Sequence, residues 1–161
     1  MIKTATVHEL KKEMIHLKPE QVIELCARLS RFKKENKELL TYLLFEAHDE
    51  KRFVENIKSE IESLFSEINQ SNGLYLIKKS LRKILRLTKK YIRFSGDKNT
   101  EVQLLLYYIL KMKQLRVPVY ENVTIGNIYA MQIKKIRAAI LSLHEDLQAD
   151  YTKELNDIME L

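Results

Sequence analysis

The sequence predicts an all-α protein of six to seven helices, and three observations carry that prediction. Helix breakers are scarce, with three glycines and two prolines in 161 residues, while Leu, Ile, Lys and Glu abound. Apolar residues recur at spacings of three and four along most of the chain, the mark of helices with one buried face. The stretch Leu74–Ser95, LYLIKKSLRKILRLTKKYIRFS, holds eight lysines and arginines and no acid, and it sorts them onto one side of a helical wheel. Helical segments joined by short turns suit an irregular compact bundle or a stack of αα-hairpins.

The first helix is expected near Thr6, which with Glu9 three residues later forms a capping box; Val7, Leu10, Met14 and Leu17 follow at helical spacing. Pro19 fits the first position of a second helix, and Glu20 favours its amino end. Val22, Leu25, Cys26, Leu29 and Phe32 give that helix an apolar stripe. The polar stretch Lys33–Lys37 is a break or a solvated turn, with Asn36 the expected cap of a helix Lys37–Phe45. Leu39, Leu40, Leu43, Leu44 and Phe45 make this helix broadly apolar, so it is expected at the centre of the core. Another start near Asp49 leads into Phe53, Ile57, Ile61, Leu64, Phe65 and Ile68, and Ser71–Gly73 ends it.

The basic helix follows and stops at Ser95–Gly96–Asp97. Thr100 with Gln103 is expected to cap the next helix, nearly all apolar over Val102–Met112 and a second candidate for the middle of the core. Pro118 pushes Val117 towards extended geometry. From Ile125 to Leu161 apolar residues recur mostly at three and four. One long or lightly kinked helix packed on its own domain is expected there. A coiled-coil-like dimer arm and a break near Asp146–Asp150 are the alternatives.

The length fits one domain over residues 1–161, able to bury a core without disulfide or metal. A hydrophobic share of 45% and a charged share of 31% exclude the disordered class. Cys26, the single cysteine, rules out an internal disulfide and points to a cytoplasmic setting; on its apolar stripe it reads as a buried, inert thiol. The start lacks the apolar core of a signal peptide, and no run approaches the roughly 20 apolar residues of a membrane span, so no membrane insertion is expected.

Charge is the uneven quantity. Residues 1–70 carry twelve basic and thirteen acidic side chains, a net of −1, while Leu74–Ser95 carries +8 and Glu145–Leu161, with six acids against Lys153, carries −5. On a helical wheel Lys78, Lys79, Arg82, Lys83, Arg86, Lys89, Lys90 and Arg93 fall within an arc of about 140°. Ile77, Leu81, Ile84, Leu85, Tyr91 and Ile92 occupy an arc of about 120° on the other side.

The blocks KKENKELLTYLLFEAHDE and KKSLRKILRLTKKYIRFSGDK resemble those of a small all-helical family of uncharacterised bacterial proteins. The resemblance covers roughly Leu29–Asp97. It implies HEAT-like superhelical packing, a short α–α superhelix, and carries no functional residue with it.

The positive stripe is the candidate site. Lysines and arginines on one helix face can track a line of phosphates without reading bases, and Tyr75, within the same arc, is placed to stack on an exposed base. The competing reading is a solvated face whose charges are answered by Glu60, Glu62, Glu67 or the acidic tail. An anionic membrane surface would need the apolar face free, and that face is expected in the core. His48, Asp49 and Glu50 are adjacent and point in different directions on a helix, and His8, His16 and His144 have no spaced partner, so no metal site is read. Glu35 and Glu38 beside Lys33, Lys34 and Lys37 read as a salt-bridged surface rather than a catalytic pair. Tyr107, Tyr108, Tyr120 and Tyr129 read as core-edge residues or as a partner surface. No glycine-rich phosphate loop, nucleophile elbow or zinc spacing occurs, so neither cofactor nor enzymatic activity is expected. The expected function is binding of nucleic acid or an acidic protein through helix 74–95. Its alternative is protein–protein interaction or homodimerisation through helix 125–161.

Overall fold

A computed structural model describes residues 3–69, 71, 73–115 and 122–161. All regular structure among them is helical: α1 (Val7–Ile15), α2 (Pro19–Phe32), α3 (Lys34–Thr41), a π-helical turn (Tyr42–Glu46), α4 (Glu50–Ser66), α5 (Leu74–Ser95), α6 (Lys98–Gln114), α7 (Val123–Ile140) and α8 (Glu145–Glu160). Eight α-helices thus stand where six to seven were expected. The chain, expected as one domain over 1–161, divides into two compact units, Met1–Phe45 and Glu46–Leu161. The extended geometry expected at Val117–Tyr120 lies outside the described residues.

In the first unit, the Thr6–Glu9 capping box closes as expected. The Thr6 amide donates to Glu9 Oε2 at 2.7 Å and the Glu9 amide to Thr6 Oγ1 at 3.3 Å. Pro19 opens α2. Asn36 does not cap a helix at Lys37. Lys33, with extended backbone, precedes α3, and the Asn36 side chain donates to the Leu29 carbonyl at 2.9 Å, closing the end of α2 instead. The apolar run Lys37–Phe45 is not a buried central helix. It turns π-helical at Tyr42, and Leu43, Leu44 and Phe45 are exposed while Tyr42 is buried. Composition marks this run as apolar, but a short unit gives it no neighbours to cover every side. Cys26, expected buried, is exposed for the same reason.

The second unit holds the core. Its centre is α6, which touches α4, α5, α7 and α8. Val102, Leu104, Leu105, Leu106, Tyr108, Ile109 and Met112 are all buried, so α6 is covered around most of its circumference, with Gln103, Tyr107 and Lys111 on a half-exposed face. The Tyr108 hydroxyl meets its need for a partner by donating to the Leu81 carbonyl of α5 at 3.0 Å.

The link from α5 to α6 is short and chemically defined. Gly96, at φ 68°, takes the left-handed conformation that ends α5, and its amide donates to the Ile92 carbonyl at 2.9 Å. Asp97, rather than Thr100, caps α6, accepting from the Thr100 amide at 2.8 Å. Thr100 lies inside the helix, where its buried hydroxyl donates to Glu50 at 2.6 Å; Ser95 donates to the same carboxylate. Glu50 so pins the start of α4 to the α5–α6 corner.

The long or lightly kinked helix expected over Ile125–Leu161 is two helices, with the break between Ile140 and Glu145, ahead of the alternative break near Asp146–Asp150. The backbone tightens at Ser142 and Leu143 with i→i+3 bonds, and Gln148 Nε2 donates to the Leu143 carbonyl at 2.8 Å. Glu145 and Asp146 then fall in the first turn of α8, where negative charge favours a helix start. The turn folds α8 back onto α6 and α7 and buries Leu155 and Ile158.

Candidate nucleic-acid interface

α5 forms over the residues expected, because its apolar stripe has a surface to cover. Ile77, Leu81, Ile84, Leu85 and Phe94 are buried against the unit, which turns the opposite, basic face outward. Lys79, Arg82, Lys83, Arg86 and Arg93 are exposed, and Lys78, Lys89 and Lys90 are half-buried. Tyr75 is 72% exposed in the first turn, beside exposed Leu74 and Leu76. Among the described residues, Tyr75, Lys78, Lys79, Arg82 and Arg86 line an open recess of about 440 Å³. A cationic recess with an aromatic ring at its edge has the chemistry to hold phosphates and stack a base.

The acids weighed as internal counter-charges form no ion pair with the stripe. Glu62 pairs with Lys111 and accepts from the Tyr107 hydroxyl, both on α6. These contacts hold its carboxyl below the usual carboxylate range, and burial together with Glu62 pushes the Tyr107 hydroxyl up. Glu67 and Lys83 line a common recess of about 90 Å³ without forming an ion pair. Glu60 is exposed. The end of the acidic α8 is met by α6 and α7: Lys113 donates to the Met159 carbonyl at 3.1 Å, and Arg137 to its sulfur at 3.8 Å. Among the described residues no carboxylate forms an ion pair with Lys78, Lys79, Arg82, Lys83 or Arg86.

The carboxyl-terminal half of the stripe behaves differently. Lys90 lies over the Tyr91 ring at 4.6 Å and the Phe94 ring at 5.8 Å, a cation held on aromatic faces. Lys89 faces Lys135 of α7, and burial together with that second ammonium lowers its pKa. Two ammonium groups crowded together favour a shared anion between them.

Lys135 was not among the residues expected to form the site. Val123–Ile140 carries Lys134, Lys135 and Arg137 with no acid, a net of +3. Three cations within four residues of an acid-free helix were the available signal, and only packing brings one of them to α5. Both helices with no acid, α5 and α7, pack on α6, as do α4 and the acidic α8, and Lys89 meets Lys135 between α5 and α7.

The remaining candidates are accounted for locally. Asp49 caps α4, accepting from the Arg52 amide at 3.1 Å, and His144 precedes α8 as its cap. No group of three His, Cys, Asp or Glu among the described residues is placed to hold a metal ion. No helix among them is long and apolar enough to cross a membrane. Compared with models of protein families, with curated proteins and with solved structures, the chain gives no match.

Proposed function

We propose that this protein binds nucleic acid through phosphate contacts made by one face of α5, with Lys135 of α7 extending the surface. The observation that carries this reading is the set Lys78, Lys79, Arg82, Lys83 and Arg86, clustered on one helix face with no ion-pairing acid among the described residues. Like charges held together without counter-ions repel one another, and a polyanion relieves that repulsion on binding. The eight basic residues span about 22 Å along the helix axis, close to one positive charge per 3 Å. Duplex nucleic acid presents about one negative charge per 1.7 Å, so the densities are of the same order. Contacts of this kind position a backbone and carry no base specificity; Tyr75 adds affinity for unpaired bases by stacking.

Within the second unit each helix touches the next in sequence, and α4 and α8 also touch α6, which supports reading α4–α8 as a short α–α superhelix. On that reading the outward face of α5, with Lys135 beside Lys89, is the binding face.

The test is a titration of fluorescent single- and double-stranded oligonucleotides at about 50 and 200 mM salt. Binding that weakens steeply with salt is expected, with single strands gaining from Tyr75. No binding at the lower salt would overturn the reading.

A further inference from the structure

The amino end of α5 carries side chains that phosphates alone do not call for. Tyr75 is 72% exposed, and Leu74 and Leu76, one on each side of it around the helix, are 43% and 46% exposed. On the helical wheel Tyr75 lies within about 20° of both Arg82 and Arg86, so the ring sits on the line of the cations rather than beside it. Along the axis it stands about 10 Å from Arg82 and about 16 Å from Arg86. The five cations without an ion-pairing acid among the described residues, Lys78, Lys79, Arg82, Lys83 and Arg86, occupy this same end. Further along, Lys90 is already held over the rings of Tyr91 and Phe94.

We propose, resting on the phosphate-binding reading of α5, that its ligand is an unpaired strand, one base stacked on Tyr75 and the neighbouring phosphates held by Lys78, Lys79, Arg82 and Arg86. A duplex keeps its base faces stacked inside and offers phosphates and sugars on its ridges, with base edges only in the grooves. Against such a ridge, a ring on the line of the cations meets a charged phosphodiester and takes the place of a contact. An unpaired strand turns a base face outward, covers Tyr75 and its flanking leucines with it, and keeps its phosphates on the cations. Size points the same way. The recess lined by Tyr75, Lys78, Lys79, Arg82 and Arg86 measures about 440 Å³, within the range of sites that take one small molecule. That is room for a base with its phosphates, not for a double helix. From Tyr75 to Arg86 the surface accommodates about five nucleotides at the stacked spacing of roughly 3.4 Å. The groups recognised are phosphates and one base face, which RNA and DNA share.

The experiment titrates the full chain with oligouridylate, oligodeoxythymidylate and a mixed-sequence duplex, each about ten nucleotides or base pairs long, at about 50 and 200 mM salt. The two single strands are expected to bind alike, and about tenfold more tightly than the duplex at the higher salt, where the greater charge density of the duplex counts least. Tyr75→Ala removes an exposed ring and no charge. It should weaken single-strand binding about tenfold and leave duplex binding, the salt slopes and the far-ultraviolet helical signal unchanged. The chain has no tryptophan, so Tyr75→Trp places its sole indole at the site. Single strands should quench that emission, and an abasic strand of the same length, phosphates without bases, should bind without quenching it. No binding of any strand at the lower salt overturns the phosphate reading, and the unpaired-strand ligand with it. Salt-dependent binding in which the duplex matches the single strands, or in which Tyr75→Ala weakens all three ligands alike, overturns the unpaired-strand ligand and leaves the phosphate reading standing. Tyr75→Trp that stays unquenched when saturated with single strand does the same. A strand bound only as RNA or only as DNA overturns recognition through phosphates and base faces alone.

Discussion

Replacing Arg82, Lys83 and Arg86 together with Ala tests the α5 surface quantitatively. All three are exposed and none forms an ion pair with a described residue, so folding stability is expected to stay within about 0.5 kcal/mol per site. Binding should change in a defined way. If Lys78, Lys79, Arg82, Lys83 and Arg86 each neutralise one phosphate, log K for duplex falls with log salt at a slope of about −4.5. The triple variant keeps two contacts, and its slope becomes about −1.8. Between 50 and 200 mM salt the wild type then loses affinity roughly 500-fold and the variant roughly 12-fold. The two lines converge near 1 M, where counter-ion release contributes nothing, so the loss is largest at low salt. Fluorescence anisotropy at five salt concentrations measures both slopes. An unchanged slope, even with weaker binding, would refute the argument, because the three side chains would not then be displacing counter-ions from phosphates.

Other substitutions probe the neighbouring features. Lys135→Glu gives Lys89 a partner in place of a competitor. The lowered pKa of Lys89 destabilises the fold below that pKa, and the penalty disappears as pH rises towards the ordinary lysine value of 10.5. The variant should therefore be more stable than wild type at neutral pH by denaturant melting, bind nucleic acid more weakly, and lose its stability advantage in alkali. Gly96→Ala keeps open space around the new methyl but forces it into the left-handed region, which costs about 1–2 kcal/mol; a thermal melt measures it, and Gly96→Asn should lose less. Tyr108→Phe removes the bond to Leu81 from a fully buried ring and should cost about 0.5–1.5 kcal/mol in chemical denaturation. The lowered pKa of Glu62 stabilises the fold above the ordinary carboxylate value of 4.5, and that gain is lost as pH falls through the folded value. The stability difference between wild type and Glu62→Gln should accordingly hold steady down to that region and shrink below it.

What the sequence disclosed and what it hid follow from the range of the forces involved. The bounds of α5 are legible because every turn of it repeats the same division of charge and oil, and Gly96 with Asp97 stops it within two residues. The centrality of α6 is legible too, since a helix nearly all apolar over Val102–Met112 needs neighbours on several sides. The same logic fails at Lys37–Phe45. Apolar composition says that a helix needs neighbours, not that its unit supplies them, and Leu43, Leu44 and Phe45 stay exposed. The break at Ser142–Leu143 was weighed only as an alternative, and a few residues too late, because Ile136, Ile140, Leu143 and Leu147 keep helical spacing across it. Position 135 was missed for a different reason. Lys89 and Lys135 are far apart in the chain, and no local pattern says that two helices packed on a third will bring these side chains together.

The enclosure of α6 also gives the protein an internal gauge. The amides along its buried faces sit under four neighbouring helices, so solvent deuterium reaches them through opening of the whole second unit rather than through fraying. The slowest exchange in the chain is therefore expected along Val102–Met112, at rates that report the global unfolding equilibrium. A ligand that binds α5 in the folded state alone slows that exchange by the factor 1 + [L]/Kd, without touching a residue of α6. Any polyanion, in whatever mixture it comes, can thus be ranked by mass spectrometry on one buried peptide that no ligand ever meets.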